Sequence, residues 1–198
     1  MKKIMFNDRY GLTEAVLSGR KTQTRRIYKT PANAYGGLEV ENGNIISFDA
    51  NGNEIITRHK YEVGEVVAIA QSYKDAGGNS IPCEDDEFGC YGFPTEQTHG
   101  WTNKMFVRAD LMPHRIRITN VRVERLHDIS DEDCIKEGIR DYSTPNEKRF
   151  GFSDFKRETI VAFKTPREAY AALIDRISGK GTWESNHYVF VYDCELVK

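Results

Sequence analysis

The sequence has no apolar run near the roughly 20 residues that a membrane-spanning helix needs. It also has no internal repeat, no low-complexity tract and no regular alternation of strands with long helices. These absences set aside membrane spans, solenoids and doubly wound parallel sheets. Cysteine is scarce, and the four at positions 83, 90, 134 and 194 do not make a disulfide framework in 198 residues. The basic start meets Asn7-Asp8-Arg9 too soon to be a signal peptide, so a cytoplasmic protein without membrane association is expected. Net charge is nearly absent too, at −2, so no global field announces a polyanionic partner. The length suits a single domain, 1–198, that buries roughly 70% of its unfolded surface.

What the chain does have is segregated charge. Arg20, Lys21, Arg25, Arg26 and Lys29 crowd one early loop, and His114, Arg115, Arg117, Arg122 and Arg125 form a second basic run. Glu84-Asp85-Asp86-Glu87 and Asp131-Glu132-Asp133 stand against them. Such a surface can hold a local anion site while the total stays near zero, although solvated faces that segregate without a ligand produce the same pattern. Cys83 and Cys90 share a Gly-rich acidic stretch with His99. Six residues separate the two cysteines, where tight structural zinc motifs use about two to four. Neither a metal nor a cofactor is expected.

Short strand patterns recur at 2–6, 38–40, 45–48, 54–57, 65–71, 115–124 and 187–197. Asn42-Gly43 and Asn51-Gly52 punctuate the early ones, and Asn-Gly tolerates the positive φ of a tight hairpin turn. The alternation of Ile116, Ile118, Val121 and Val123 skips a beat near Thr119-Asn120, which predicts a bulge. Helices are expected after Asp8, with Gly19 as stop, and from Asp131 to Glu137, with Ser130 as cap and Gly138 as stop. A third begins at the capping box Thr165-Pro166-Arg167-Glu168 and runs to about Ile177. Residues 73–104 are irregular and read as an inserted lid. Many short strands with a few helices indicate an α+β fold, a partly open β-barrel decorated by short helices.

The stretch Gly19-Arg20-Lys21-Thr22-Gln23-Thr24-Arg25-Arg26 carries the chemistry. Lysine supplies a mobile point charge, arginine a planar fork for phosphate or carboxylate, and threonine a hydroxyl. An anion-binding loop and a solvated basic turn at a helix C-terminus both fit these residues. Arg20, Arg25, Arg26, Arg117 and Arg122 are candidate phosphate contacts, and Tyr28, Tyr35, Tyr73 and Trp101 are candidate stacking platforms for an unpaired base. His114 and His187 can titrate near neutrality, but a lone histidine is more often structural.

The same stretch resembles the Gly-x-Lys-x-x-(Glu/Thr)-x-Arg loop of the ASCH family, with Gly19, Lys21, Thr24 and Arg26 in register. Tyr61-Glu62-Val63-Gly64-Glu65-Val66-Val67 resembles that family's entry into a strand. Ile116-Arg117-Ile118-Thr119-Asn120-Val121-Arg122, then Glu124-Arg125-Leu126 and Glu137-Gly138, resemble its central strand and short acidic helix. Trp183-Glu184-Ser185-Asn186-His187-Tyr188-Val189-Phe190-Val191 is similar to its closing strand. The stretches 28–58, 73–104 and 141–164 have no counterpart.

The resemblance implies a PUA-like barrel whose cleft beside Lys21 binds RNA or a nucleoside-like small molecule. The longer form is similar to proteins common in phage and prophage genomes. Small bacterial acetylcytidine amidohydrolases share that fold and a Lys/Thr/Glu catalytic set, which Lys21 and Thr24 match, with Glu137 as the candidate acid. Three roles follow: an RNA- or nucleotide-binding module first, an amidohydrolase acting on an acylated cytidine second, and a phage accessory module that binds protein through the lid third. A threonine attacks only when a neighbour takes its proton, and lysine does so only if its pKa falls well below about 10.4. Arg20, Arg25 and Arg26 push that pKa down and Glu137 pulls it up, so geometry decides.

Overall fold

Local signals in the sequence reappear as elements in the computed structural model, which describes residues 1–78 and 94–197. In chain order they are β1 (Lys3–Ile4), α1 (Leu12–Leu17), β2 (Gln23–Ile27), β3 (Tyr35–Glu41), β4 (Asn44–Phe48), β5 (Glu54–Thr57) and β6 (Val66–Ile69). There follow β7 (Arg115–Arg125), α2 (Asp131–Lys136), β8 (Arg140–Asp141), β9 (Phe150–Asp154), β10 (Thr159–Phe163), α3 (Pro166–Ser178) and β11 (Tyr188–Val197). The fold is α+β, mostly strands with three short α-helices among the described residues. None of the helices is long and apolar enough to cross a membrane.

The starts of α2 and α3 follow side-chain chemistry. The Thr165 hydroxyl accepts the Glu168 amide and the Glu168 carboxylate accepts the Thr165 amide, with Pro166 in the first turn of α3. Ser130 caps α2 by accepting the Asp133 amide. Asn42 and Gly43 take φ of 50° and 75° in the turn between β3 and β4, as a two-residue hairpin requires.

The main sheet has the order β1-β6-β7-β11-β2, with β1 parallel to β6 and the other pairs antiparallel. In the β7–β11 ladder Asn120 faces Asp193 and Ile118 faces Cys194, so Thr119 is left unpaired as the bulge. The ladder does not close on itself, and β1 and β2 are its edges. Two smaller antiparallel sheets, β3-β4-β5 and β10-β9-β8, flank it. The larger apolar core includes Ile69, Ile116, Ile118, Val189 and Val191 from the sheet, packed with Val16 of α1, Cys134 of α2 and Leu173 of α3.

Three expectations change. The stretch 23–27 belongs to strand β2 and not to a loop, because β11 supplies backbone partners from Val189 to Asp193. Residues 140–163 form the hairpins of β8–β10, which no strand pattern announced. Tyr73, expected as a stacking platform, is only 3% exposed and packs with Ala68, Ala70, Val107 and Met112. Its ring leaves no room for a side chain at Gly100, where φ is +100° and a Cβ would lie 2.9 Å away. Trp101 is half-buried against the same cluster. Cys83 and Cys90 lie outside the described residues.

Candidate functional site

Strand β2 positions the site. Successive side chains of a strand point to opposite faces, so Gln23 and Arg25 share one face and Thr24 and Arg26 the other. The register against β11 sets Thr24 beside Tyr192, Arg25 beside Val191 and Arg26 beside Phe190.

On the Arg25 face the charges are matched. The Arg25 side chain is fully buried and donates to Glu124 Oε1 at 2.9 and 2.6 Å, to Asp133 Oδ2 at 3.0 Å and to Glu137 Oε1 at 3.3 Å. Burial opposes the Arg25 charge, but Glu137 and Glu124 outweigh it and hold its pKa above the ordinary arginine value. Arg122 joins the same network through Glu124 at 3.1 Å, Asp133 at 3.0 Å and Asp193 at 2.8 Å.

Lys21 lies at the end of this network and is 3% exposed. Its ammonium donates to Glu137 Oε2 at 2.5 Å, to the Glu137 carbonyl at 2.7 Å and to the Gln23 carbonyl at 2.7 Å. Three acceptors meet the three N–H bonds of a charged lysine. Burial nevertheless pushes the Lys21 pKa below the ordinary lysine value, against the pull of Glu137 and with help from Arg26. Glu137 reaches Lys21 because α2 ends there and Gly138 turns the chain at φ +109°. A Cβ at Gly138 would lie 3.1 Å from Leu12 and 3.6 Å from the Lys21 stem, so glycine lets the helix end settle over the lysine.

A cavity of about 670 Å³ opens beside this pair. Its wall includes Lys21, Glu137, Thr24, Arg25 and Arg26, with Phe6 after β1 and Tyr170 and Leu173 of α3. Thr24 is 4% exposed, and its hydroxyl makes no hydrogen bond to any described residue. Arg26 forms no ion pair among the described residues; it donates to the Met5 carbonyl at 2.7 Å and lies 5.8 Å from the Phe6 ring. Lys21 lies 5.8 Å from the same ring, so Phe6 is shared by two cations.

Of the expected site residues, Lys21, Thr24, Glu137, Arg25 and Arg26 meet at this cavity, although Thr24 touches neither Lys21 nor Glu137 by a hydrogen bond. Arg20 instead donates to the Gly138 carbonyl at 2.7 Å and pairs with Glu14. Arg117 is exposed on β7 beside Glu195. Tyr28 and His187 line the cavity, while Tyr35 is exposed on β3. Phe6, Tyr170 and Leu173 were not anticipated as site residues. Leu173 lies on the buried face of α3, and nothing local marks Phe6.

Among the described residues the arrangement offers a guanidinium without an ion pair, a hydroxyl without a hydrogen bond and a buried lysine–carboxylate pair. Nucleophilic chemistry at Cys134 and Cys194 is disfavoured, because burial pushes the Cys134 thiol up to about 12 and the Cys194 thiol up to about 11. Among the described residues no group of three or more His, Cys, Asp or Glu side chains could hold a metal ion. Comparison with family models, curated proteins and solved structures gives no match.

Proposed function

We propose that the chain is an ASCH-type domain whose cavity binds a nucleoside-like ligand, either free or as an unpaired base of RNA. The observation that carries this reading is the grouping of Arg26 and Thr24, neither hydrogen-bonded to a side chain nor ion-paired among the described residues, on one cavity wall beside the Lys21–Glu137 pair. A volume of about 670 Å³ is in the range of small-molecule sites. The Arg26 bond to Met5 draws the two free edges of the main sheet together, which supports a PUA-like, partly open barrel with the cleft at its seam. A cytoplasmic setting follows from that ligand class.

The test is calorimetric titration with the four ribonucleosides and a short single-stranded RNA. Arg26→Met should weaken binding about tenfold or more, the loss of one charge-assisted hydrogen bond. If the wild-type protein binds none of these ligands, the reading fails.

A second reading, an amidohydrolase that removes an acyl group from a modified cytidine, is favoured by the Lys21–Glu137 contact at 2.5 Å. Lys21 would pass a proton to Glu137 and then, as an amine, take the proton of Thr24 while its oxygen attacks the acyl carbon. The proton passes to the exocyclic nitrogen as its bond to the acyl carbon breaks and cytidine leaves, and water then splits the threonine ester to release the carboxylic acid. Thr24 must turn toward Lys21 for this to happen. Lys21→Ala and Thr24→Ala should each abolish release of acetate from acetylcytidine, followed by chromatography. Turnover that survives in either variant, or no turnover by the wild type, removes this second reading.

A further inference from the structure

A second cavity, of about 370 Å³, lies next to the first and shares Met5, Arg26, Ile27, Tyr28 and Lys29 with it. Its charge differs sharply from that of the Lys21 wall. Lys3, Arg26, Lys29, Arg58 and Lys60 line it, and among the described residues no carboxylate does. Lys29 and Arg58 make no ion pair or hydrogen bond among the described residues, and the Lys60 ammonium meets only the Tyr61 ring, 5.3 Å from its centroid. The Lys3 ammonium is fixed against the carbonyls of Met105 and Val107 at 2.7 and 2.6 Å.

Like charges gathered without an acid repel one another: burial first, and Lys60 beside it, push the Lys3 pKa below the ordinary lysine value. Elsewhere the chain pairs such groups, as Arg25 and Arg122 show. A second observation points the same way. Tyr28, on the wall common to both cavities, is 4% exposed, and its buried hydroxyl has no hydrogen-bond partner among the described residues. A buried polar atom without a partner costs free energy until a ligand or water satisfies it.

We infer that this second cavity is a phosphate subsite, so that the ligand is a phosphorylated nucleotide whose base and sugar occupy the larger cavity. Arg26, lining both, contacts the ligand at the junction. This rests on the nucleoside reading of the first cavity. The phosphoryl group belongs either to a mononucleotide or to an RNA strand, and the two share the same chemistry at this wall.

The test compares wild-type protein with an Arg58→Ala/Lys60→Ala double variant, whose side chains are exposed and leave the fold intact. Ribonucleosides, their monophosphates, a trinucleotide and inorganic phosphate are each titrated. The monophosphate of the preferred nucleoside should bind about tenfold or more tightly than that nucleoside, with salt weakening the difference. The double variant should lose this advantage and keep its affinity for the nucleoside. A trinucleotide that binds more tightly than the monophosphate assigns the phosphate to RNA, and the reverse assigns it to a free nucleotide. Inorganic phosphate that stabilises the wild type but not the double variant, with no nucleoside bound, supports the subsite and removes the nucleoside reading. Equal affinity for nucleoside and monophosphate, or no effect of the double variant on phosphate binding, overturns the subsite.

Discussion

Arg25 and Arg26 are neighbours in sequence and opposites in chemistry. Arg25 sits fully buried among Glu124, Asp133 and Glu137, and each of its charged nitrogens has a protein acceptor. Arg26, one residue on, points to the other face of β2, has no carboxylate partner among the described residues, and lines two cavities. The difference comes from the two-residue period of a strand. It teaches that a basic run on an edge strand divides into a half matched by carboxylates and a half that is not, and that parity sorts them.

The sharpest way to break this comparison is to remove each charge in turn. Arg25→Met should cost about 3–5 kcal/mol of stability, because three carboxylates are left around a buried site with their main cation gone. Arg26→Met should cost about 1 kcal/mol, since it gives up one hydrogen bond to the Met5 carbonyl. Urea unfolding of both variants measures this. Equal losses would mean that parity does not separate the two roles.

Titration sharpens the same contrast at Lys21. Burial holds the Lys21 pKa in the folded chain below its ordinary value of 10.5. Between those two pKa values the unfolded chain binds more protons than the folded one, so stability rises with pH in that window; below the folded pKa Lys21 adds no slope. Lys3 shifts in the same direction and is present in every variant, so it cancels in a difference. The stability of the wild type minus that of Lys21→Met, measured by urea unfolding from neutral pH upward, should therefore increase toward pH 10.5. A difference that falls with pH would mean that Glu137, and not burial, dominates the lysine.

Which parts were legible in the sequence follows from how local their causes are. The caps at Ser130 and Thr165, the Asn42-Gly43 turn and the bulge at Thr119 depend on a few adjacent residues, and patterning finds them. Strand β2 is different. Its Gln-Thr-Arg-Arg run carries no apolar alternation, and its strand form depends on pairing with β11, far along the chain. The Lys21–Glu137 contact joins residues 116 positions apart, and only the family resemblance suggested it. Patterning also cannot tell that Arg122 would meet three acids or that Arg20 would bind a helix-end carbonyl, because both depend on where α2 packs. The wall of Lys3, Arg58 and Lys60, without an acid among the described residues, is equally non-local, since its members come from three separate stretches of chain with Arg26 and Lys29.

The smallest expected effect is at Arg117, the exposed arginine of β7. Its pair with Glu195 spans 3.3 Å, with both side chains at least half exposed, at 50% and 58%. Water screens such a pair, and holding two long side chains in one geometry costs entropy, so the contact contributes about 0–1 kcal/mol. Arg117 lines none of the cavities described above, and its charge is already answered by Glu195. Arg117→Ala should therefore leave both the urea midpoint and the affinity for single-stranded RNA close to wild type, and the dependence of RNA affinity on salt should keep its slope. Arg26→Met, measured alongside, should lower that slope by about one phosphate contact. If Arg117→Ala lowers the slope as much, the RNA path crosses the open face of β7, and the ligand-facing cations are not confined to the seam between β1 and β2.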